Sequence, residues 1–185
     1  LHVLNLWLRL TVKTALRRMK HPDEMKAALE RDADRFFITP DDAHFVADLM
    51  RRTGEPREVG MIEATWASCG RPDRRKVILY FHGGAYLAGS AKTHRHLAAA
   101  LAGAAGVRAV VPDYRLAPEH PFPASVEDCL DAYRHLLAAG YLPEEIALAG
   151  DSAGGGLVFA VLLCLQEEGL DPPACAHRYW MRIMS

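Results

Sequence analysis

The stretch Gly150-Asp151-Ser152-Ala153-Gly154 decides the fold of this chain. It follows a short apolar run, 146–149, and precedes a helix-forming stretch that we expect to end at Gly169. Strand, sharp turn and helix in this order are the context that a nucleophile elbow requires. The sequence therefore predicts that Ser152 is a nucleophile, and such a serine needs a histidine to take its proton and a third group to orient that histidine.

Two further segments precede the pentapeptide. An apolar run, 77–81, leads into His82-Gly83-Gly84-Ala85-Tyr86, and residues 113–124 read D-Y-R-L-A-P-E-H-P-F-P-A. Consecutive glycines allow backbone N–H groups to turn toward a developing oxyanion. The pattern G-x-S-x-G alone would arise by chance in roughly one chain of this length in twenty. Three segments in this order make chance improbable.

These motifs, H-G-G-x-[FYW], D-Y-R-L-A-P-E and G-D-S-A-G-G, resemble those of the hormone-sensitive-lipase-like branch of the α/β-hydrolases, bacterial carboxylesterases and lipases. The resemblance runs from about residue 59 to about residue 176. It implies a serine esterase for small-molecule esters in which Ser152 attacks the ester carbonyl, with no cofactor and no metal. The implied donors to the oxyanion are the N–H groups of Gly83, Gly84 and Ala153.

The resemblance also assigns supporting roles. His82 is expected to brace the glycine-rich loop, and Asp151 is expected to support the elbow. Many members of the branch have a third glycine where this chain has Ala85. That departure leaves both implied donor glycines in place and puts the width of the acyl pocket in doubt.

The triad is incomplete in this sequence. In α/β-hydrolases the acid and then the histidine follow the nucleophile, but here only Glu167, Glu168, Asp171 and His177 follow Ser152. The three acids lie roughly 20 Å or more from Ser152 along a helix that rises 1.5 Å per residue, so a structural role is expected for them. Residues 177–182 do not read as the buried strand that the resemblance predicts. We expect a truncated or frame-shifted esterase lacking C-terminal strands and diverging near His177, or alternatively an inactive remnant or ester-pocket binding module.

The remaining pattern predicts an α/β fold with a mostly parallel sheet and flanking helices. Predicted strands are 61–68, 76–81, 108–112 and 146–150, and predicted helices are 93–102, 125–139 and 152–168. The first 56 residues are predicted to be helical, and the resemblance implies that residues 1–56 form a cap segment and residues 57–185 an incomplete α/β-hydrolase core. Within the cap, an amphipathic helix covers 1–20, a second begins at Pro22, and a third begins at Thr39-Pro40-Asp41-Asp42 and ends near Gly54. A basic helix on an anionic membrane surface is the alternative for 1–20.

Composition narrows the classes of function. Half of the residues are hydrophobic and the formal net charge is −1, so nothing favours nucleic acid. The four cysteines have no metal-like spacing, which predicts free thiols in the cytoplasm. Residues 150–156 lack the Lys-Ser or Lys-Thr of a phosphate-binding loop. His94 and His96 stand two residues apart, where they face different sides of a helix, so they are expected to face solvent or the cap rather than a metal.

The short C-terminal part leads to a prediction about association. If the chain ends soon after the nucleophile helix, strand 146–150 has an unpaired edge and the helix lacks cover for its apolar side chains. Those side chains are Leu157, Val158, Val161 and Leu165. The sequence therefore predicts homo-oligomers or aggregation through the exposed edge.

Overall fold

The computed structural model describes residues 39–53 and 60–179, with backbone alone for 177–179. The strands are β1 (Ala43–Arg51), β2 (Met61–Cys69), β3 (Asp73–Phe81), β4 (Val107–Pro112), β5 (Ile146–Asp151) and β6 (Cys175–Tyr179). The helices are α1 (Ala91–Ala105), α2 (Ala124–Ala138) and α3 (Ala153–Glu168), with a 3₁₀ turn at Pro143–Glu145. The helices predicted over 1–20 and from Pro22 lie outside the described residues.

The strands form one six-stranded mixed sheet in the order β1-β2-β4-β3-β5-β6. The pairs β1/β2 and β2/β4 are antiparallel, whereas β4/β3, β3/β5 and β5/β6 are parallel. The carboxyl ends of β3 and β5 therefore lie side by side near the middle of the sheet. The sequence motifs 82–86 and 150–154 begin at those two ends, so the fold brings them together.

Helices cover both faces of the sheet. Alternate residues of β3 separate the two sides: Leu79 and Phe81 pack with α2 and α3, and Tyr80 packs with α1. Each is fully buried, and burial of one such large side chain contributes about 1.5–3 kcal/mol. The α1 face is lined mainly by alanines, while the opposite face carries the larger aliphatic and aromatic side chains.

The predicted strands and helices of the α/β core are confirmed, with each boundary within three residues of its predicted position. Ser90 caps α1 through a reciprocal pair of hydrogen bonds with Thr93. Gly169 ends α3 with φ 67°, a left-handed conformation that suits glycine. The four cysteines are free, as predicted. No helix among the described residues is long and apolar enough to cross a membrane.

The predicted third helix is wrong, because residues 43–51 form strand β1. The Thr-Pro-Asp-Asp sequence makes a turn, in which the Ala43 N–H donates to the Pro40 carbonyl at 3.0 Å. From Ala43 to Arg51 the backbone then pairs antiparallel with β2, residue for residue. Turns and helix starts favour the same residue types, and pairing along a whole neighbouring strand outweighs local helix propensity.

The expectations for the C-terminal part also need correction. Residues 175–179 form β6, which pairs in parallel with β5, so the predicted unpaired edge of 146–150 is wrong. The four α3 side chains predicted to lack cover are at most 1% exposed: Leu157, Val158, Val161 and Leu165. A backbone ladder needs no particular side chain, which is why the polar sequence His177-Arg178-Tyr179 can still form a strand. The exposed apolar side chains of α3 are instead Phe159 and Leu163, at 46% and 61%.

Candidate active site

Ser152 sits in a strained turn between β5 and α3. Its φ and ψ are 49° and −116°, a region that non-glycine residues rarely adopt, and its side chain is exposed. A conformation of this kind costs about 1–3 kcal/mol and persists only where the surroundings impose it. Here Ser152 stands at the N-terminus of the 16-residue helix α3, whose first N–H groups and dipole favour negative charge.

The two flanking glycines make this turn possible. A Cβ on Gly154 would lie 2.0 Å from the Phe81 carbonyl oxygen, and one on Gly150 would lie 2.5 Å from the Gly154 carbonyl carbon. Both clashes are with backbone, which cannot swing aside. The elbow therefore packs directly against the end of β3, and the G-x-S-x-G pattern has a steric cause in this chain.

The loop after β3 contains a second strained turn. Ala85 and Tyr86 have φ 56° and 63°, and the Leu87 N–H donates to the Gly84 carbonyl at 3.1 Å, as in a type I′ turn. A Cβ on Gly84, whose φ is 130°, would lie 1.9 Å from the Ala88 carbonyl oxygen. Glycine is thus required at 84. At 85 alanine is tolerated in a left-handed conformation, at a cost of about 1 kcal/mol.

The Asp151 carboxylate joins the two strained turns. Its Oδ1 accepts hydrogen bonds from the Gly83 N–H and from the Tyr80 hydroxyl, both at 2.8 Å. The resemblance assigns the Gly83 N–H to the oxyanion, but in the structure this N–H donates its hydrogen bond to Asp151. Within the described residues no hydrogen bond is found for the N–H of Gly84 or of Ala153.

His82 is fully buried beneath the loop. Its Nδ1 lies 2.9 Å from the Gly83 carbonyl oxygen, which assigns the proton to Nδ1, and its ring stacks on Tyr114 at 4.1 Å. The Tyr114 hydroxyl donates to the His82 carbonyl at 2.6 Å. Burial, with a contribution from neighbouring His94, lowers the pKa of His82 from 6.5 to about 3. A neutral imidazole thus connects the loop to the 113–116 segment.

His94 and His96 do not face solvent, so that part of the sequence-based expectation is wrong. His94, with a side chain only 12% exposed, places Nε2 3.8 Å from Asp151 Oδ1. His96 is 7% exposed, bonds to the Thr39 hydroxyl and meets the Phe45 ring edge-on at 5.6 Å. In the described ranges no group of three histidine, cysteine, aspartate or glutamate side chains could hold a metal ion.

The D-Y-R segment is held by two carboxylates, its own Asp113 and the buried Asp128, which the sequence did not single out. Asp128 is fully buried and pairs with Arg52 at 2.7 Å and with Arg115 at 2.9 Å. The Asp113 carboxylate accepts a hydrogen bond from the Ala91 N–H at the start of α1. Burial raises the pKa of Asp113 from 3.8 to about 6, against the opposing effect of that hydrogen bond. These contacts fix the segment that supports His82.

Two of the acidic residues after the elbow, Glu168 and Asp171, make structural contacts. Glu168 pairs with Arg134, and the Asp171 carbonyl accepts a hydrogen bond from the Tyr133 hydroxyl. No hydrogen bond of the Ser152 hydroxyl is found within 39–53 and 60–179. The described part of the chain therefore contains the elbow and the loop, but none of its histidines is hydrogen-bonded to the Ser152 hydroxyl.

A mixed sheet with a strained serine turn after a parallel strand and before a helix defines the class of α/β-hydrolases. The sequence profile of the alpha/beta hydrolase fold matches residues 78–180, more than half of the chain, and the chain belongs to this family.

Individual relatives agree with the branch suggested by the motifs. The chain is 48% identical over 123 residues to an acetyl-hydrolase of Streptomyces hygroscopicus, covering 66% of this chain and 41% of that protein. It is 40% identical over 106 residues to hormone-sensitive lipase of Homo sapiens, covering 55% and 10%. A crystal structure of an esterase from the bacterial hormone-sensitive lipase family matches with a TM-score of 0.79 at 38% identity, covering 96% and 55%. The chain thus spans about half or less of the length of these relatives.

Proposed function

We propose that this chain carries the nucleophile and oxyanion loop of a carboxylic-ester hydrolase acting on small-molecule esters. The observation that supports it most is the exposed Ser152 held at φ 49° and ψ −116° at the start of α3. In the proposed reaction Ser152 Oγ bonds to the ester carbonyl carbon and its proton passes to a base. The base returns a proton to the departing alcohol, and water then hydrolyses the acyl-serine to the acid.

The oxyanion would be held by the N–H groups of Gly84 and Ala153, which have no hydrogen bond among the described residues. Gly83 was included in the donor set by resemblance, but its N–H donates to Asp151. We therefore propose that Gly83 contributes by fixing the position of Gly84. Removal of one such donor typically lowers kcat about 10²–10³-fold.

The general base is proposed to lie outside the described residues or in a longer protein. Serine attack needs a histidine within hydrogen-bond reach of the hydroxyl. The buried His82 is unsuited to this role, because its Nδ1 is engaged with the Gly83 carbonyl and its lowered pKa disfavours accepting a proton. The activity of the isolated chain is thus expected to be weak.

An inactive remnant or a binding module that keeps the ester pocket is the second candidate. It is favoured by the lack of any hydrogen bond to the Ser152 hydroxyl within the described part. A fluorophosphonate distinguishes the two functions, since it forms a covalent adduct with an activated serine and not with an ordinary one.

The test is intact-mass spectrometry of the purified chain after incubation with a fluorophosphonate. We expect slow, substoichiometric addition to Ser152 that Ser152→Ala abolishes and that Ser125→Ala, a change in α2, leaves intact. No adduct on a chain that unfolds cooperatively would favour the binding module. Rapid stoichiometric addition would show that the chain contains a competent base.

We also propose a cytoplasmic location and self-association through the outer edge of β6. The free thiols support a reducing compartment, and β6 is the last strand of the described sheet. Contact of residues 1–20 with a membrane surface is the less favoured alternative. Size-exclusion chromatography with light scattering tests the association, and a monodisperse monomer would contradict it.

A further inference from the structure

We propose that Tyr80 and His94 are positioning residues that lock the oxyanion loop, residues 82–90, to the nucleophile elbow through the Asp151 carboxylate. The part of this inference that concerns catalysis, namely that the lock holds the oxyanion donors, rests on the proposed function. The arrangement itself is a property of the fold and can be tested without activity.

The loop begins at a fixed point. Gly83 donates its N–H to Asp151 Oδ1 at 2.8 Å, and a Cβ on Gly83 would lie 2.1 Å from Asp151 Oδ2. The carboxylate is thus in direct contact with the backbone of the loop. Tyr80, the penultimate residue of β3, donates its hydroxyl to the same Oδ1 at 2.8 Å. Because Tyr80 is fully buried, its hydroxyl fixes the carboxylate relative to the sheet.

The loop also ends near the same carboxylate. It runs into α1, where Ser90 is the N-cap and His94 lies in the first turn. His94 Nδ1 is 2.8 Å from the Thr93 hydroxyl and 3.4 Å from the Ser90 carbonyl oxygen, which restrains the imidazole against the cap. Its Nε2 is 3.8 Å from Asp151 Oδ1, and the two side chains are only 12% and 18% exposed. His94 therefore presents a polar edge to the carboxylate in a site with little access for water.

This double attachment fixes the distance between the proposed oxyanion donors. Gly84 follows Gly83 in the loop, and Ala153 lies two residues after Asp151 in the elbow. Along the chain, each donor is therefore within two residues of a residue that takes part in the lock. Donors aimed at a developing charge are effective when they are held in place before the reaction, so a loose lock would weaken both.

The test compares Tyr80→Phe, His94→Gln and Asp151→Asn with two matched controls. Tyr133→Phe loses a tyrosine hydroxyl bond of 2.9 Å to the Asp171 carbonyl, far from the elbow, and His120→Gln changes an exposed histidine. The readouts are the Gly83 amide resonance in ¹H–¹⁵N spectra, hydrogen exchange of the peptide 82–90, and the rate of fluorophosphonate addition to Ser152. All use the full chain.

We expect the three lock variants to shift the Gly83 amide resonance and to speed exchange of 82–90, while neither control does. A further variant, Asp151→Ala, should have a larger effect than Asp151→Asn, because the amide oxygen of asparagine can still accept from the Gly83 N–H. Addition to Ser152 should slow by about five-fold in Tyr80→Phe, which loses one hydrogen bond. The effect should be smaller in His94→Gln, because the 3.8 Å contact with Asp151 is longer than a hydrogen bond. An unchanged Gly83 resonance in both Tyr80→Phe and His94→Gln would overturn the proposal. If wild-type Ser152 takes no label, the proposed function fails, and the amide and exchange data alone decide whether the lock exists.

Discussion

The elbow and strand β1 carry different unfavourable features. The elbow has a strained backbone, whereas β1 has a regular backbone and exposed apolar side chains. Around Ser152 three non-glycine residues, Ala85, Tyr86 and Ser152, have positive φ, and they follow the buried carboxyl-terminal parts of β3 and β5. In β1 the backbone is regular, but Val46 and Leu49 expose 62% and 53% of their surface to solvent. Among the described residues, backbone strain thus occurs where packing can impose it, whereas the unstrained edge strand β1 carries exposed apolar side chains.

Gly154→Ala should have the largest effect. Its Cβ would meet the Phe81 carbonyl at 2.0 Å, so β3 and α3 must separate, and we expect a loss of more than about 3 kcal/mol of unfolding free energy. Gly106→Ala is the matched control, with φ 66° and nothing within 4 Å, and should cost only about 1 kcal/mol. Chemical denaturation measures both. Equal losses would show that the elbow is not tightly packed.

Acid should destabilise the protein through His82. Its pKa is about 3 in the folded protein against 6.5 for the ordinary group, so between these values the unfolded chain binds more protons. The stability that the neutral His82 contributes is therefore fully present above about pH 6.5 and is lost as pH falls toward 3. Asp113, raised from 3.8 to about 6, acts in the opposite sense, because its neutral form is favoured on folding and stability falls as pH rises through that window.

Unfolding free energy measured from pH 4 to 7 separates the two groups. Asp113→Asn should make the loss of stability on acidification steeper, since the opposing proton uptake is removed. His82→Asn should flatten the acid limb, and an unchanged acid limb in that variant would assign the effect to other groups.

The contact between Tyr86 in the loop and Gly156 in α3 should have a smaller effect on the unfolding free energy. A Cβ on Gly156 would lie 2.4 Å from the Tyr86 hydroxyl but 3.7 Å from Cζ. Gly156→Ala should therefore displace Tyr86 and lose most of the roughly 1 kcal/mol that alanine gains over glycine in a helix. In a Tyr86→Phe background the same change should stabilise by that amount. A double-mutant cycle in thermal unfolding measures the coupling, and additivity would show that the two residues do not touch.

Val46→Thr should have the smallest effect. The side chain is 62% exposed on β1, and threonine keeps the branched shape that strands favour. We expect a change below about 0.5 kcal/mol, as for other surface substitutions. A loss comparable to that of Gly154→Ala would mean that this face of β1 is covered.

The same contrast explains what the sequence could predict. The strand, turn and helix order around Ser152 is predictable because close backbone approach at Gly84, Gly150 and Gly154 admits only glycine, and these glycines are visible in the sequence. Residues 39–51 were misread because Pro40 and the following aspartates suit a turn as well as a helix start. The partners His94 for Asp151 and Arg52 for Asp128 could not be predicted, since they join residues 57 and 76 positions apart.

The alanine-lined face of α1 has a consequence for the lock. Ala98, Ala99 and Ala102 are fully buried against the sheet, and a Cβ on Gly103 would lie only 3.0 Å from Cys69 Cβ. Short side chains therefore act as a spacer that sets how far the helix axis stands from the strands. A larger residue there would lift the whole helix, and with it the imidazole of His94 at its other end. The volume of the side chains two turns farther along α1 thus sets how closely His94 approaches Asp151, beside Ser152.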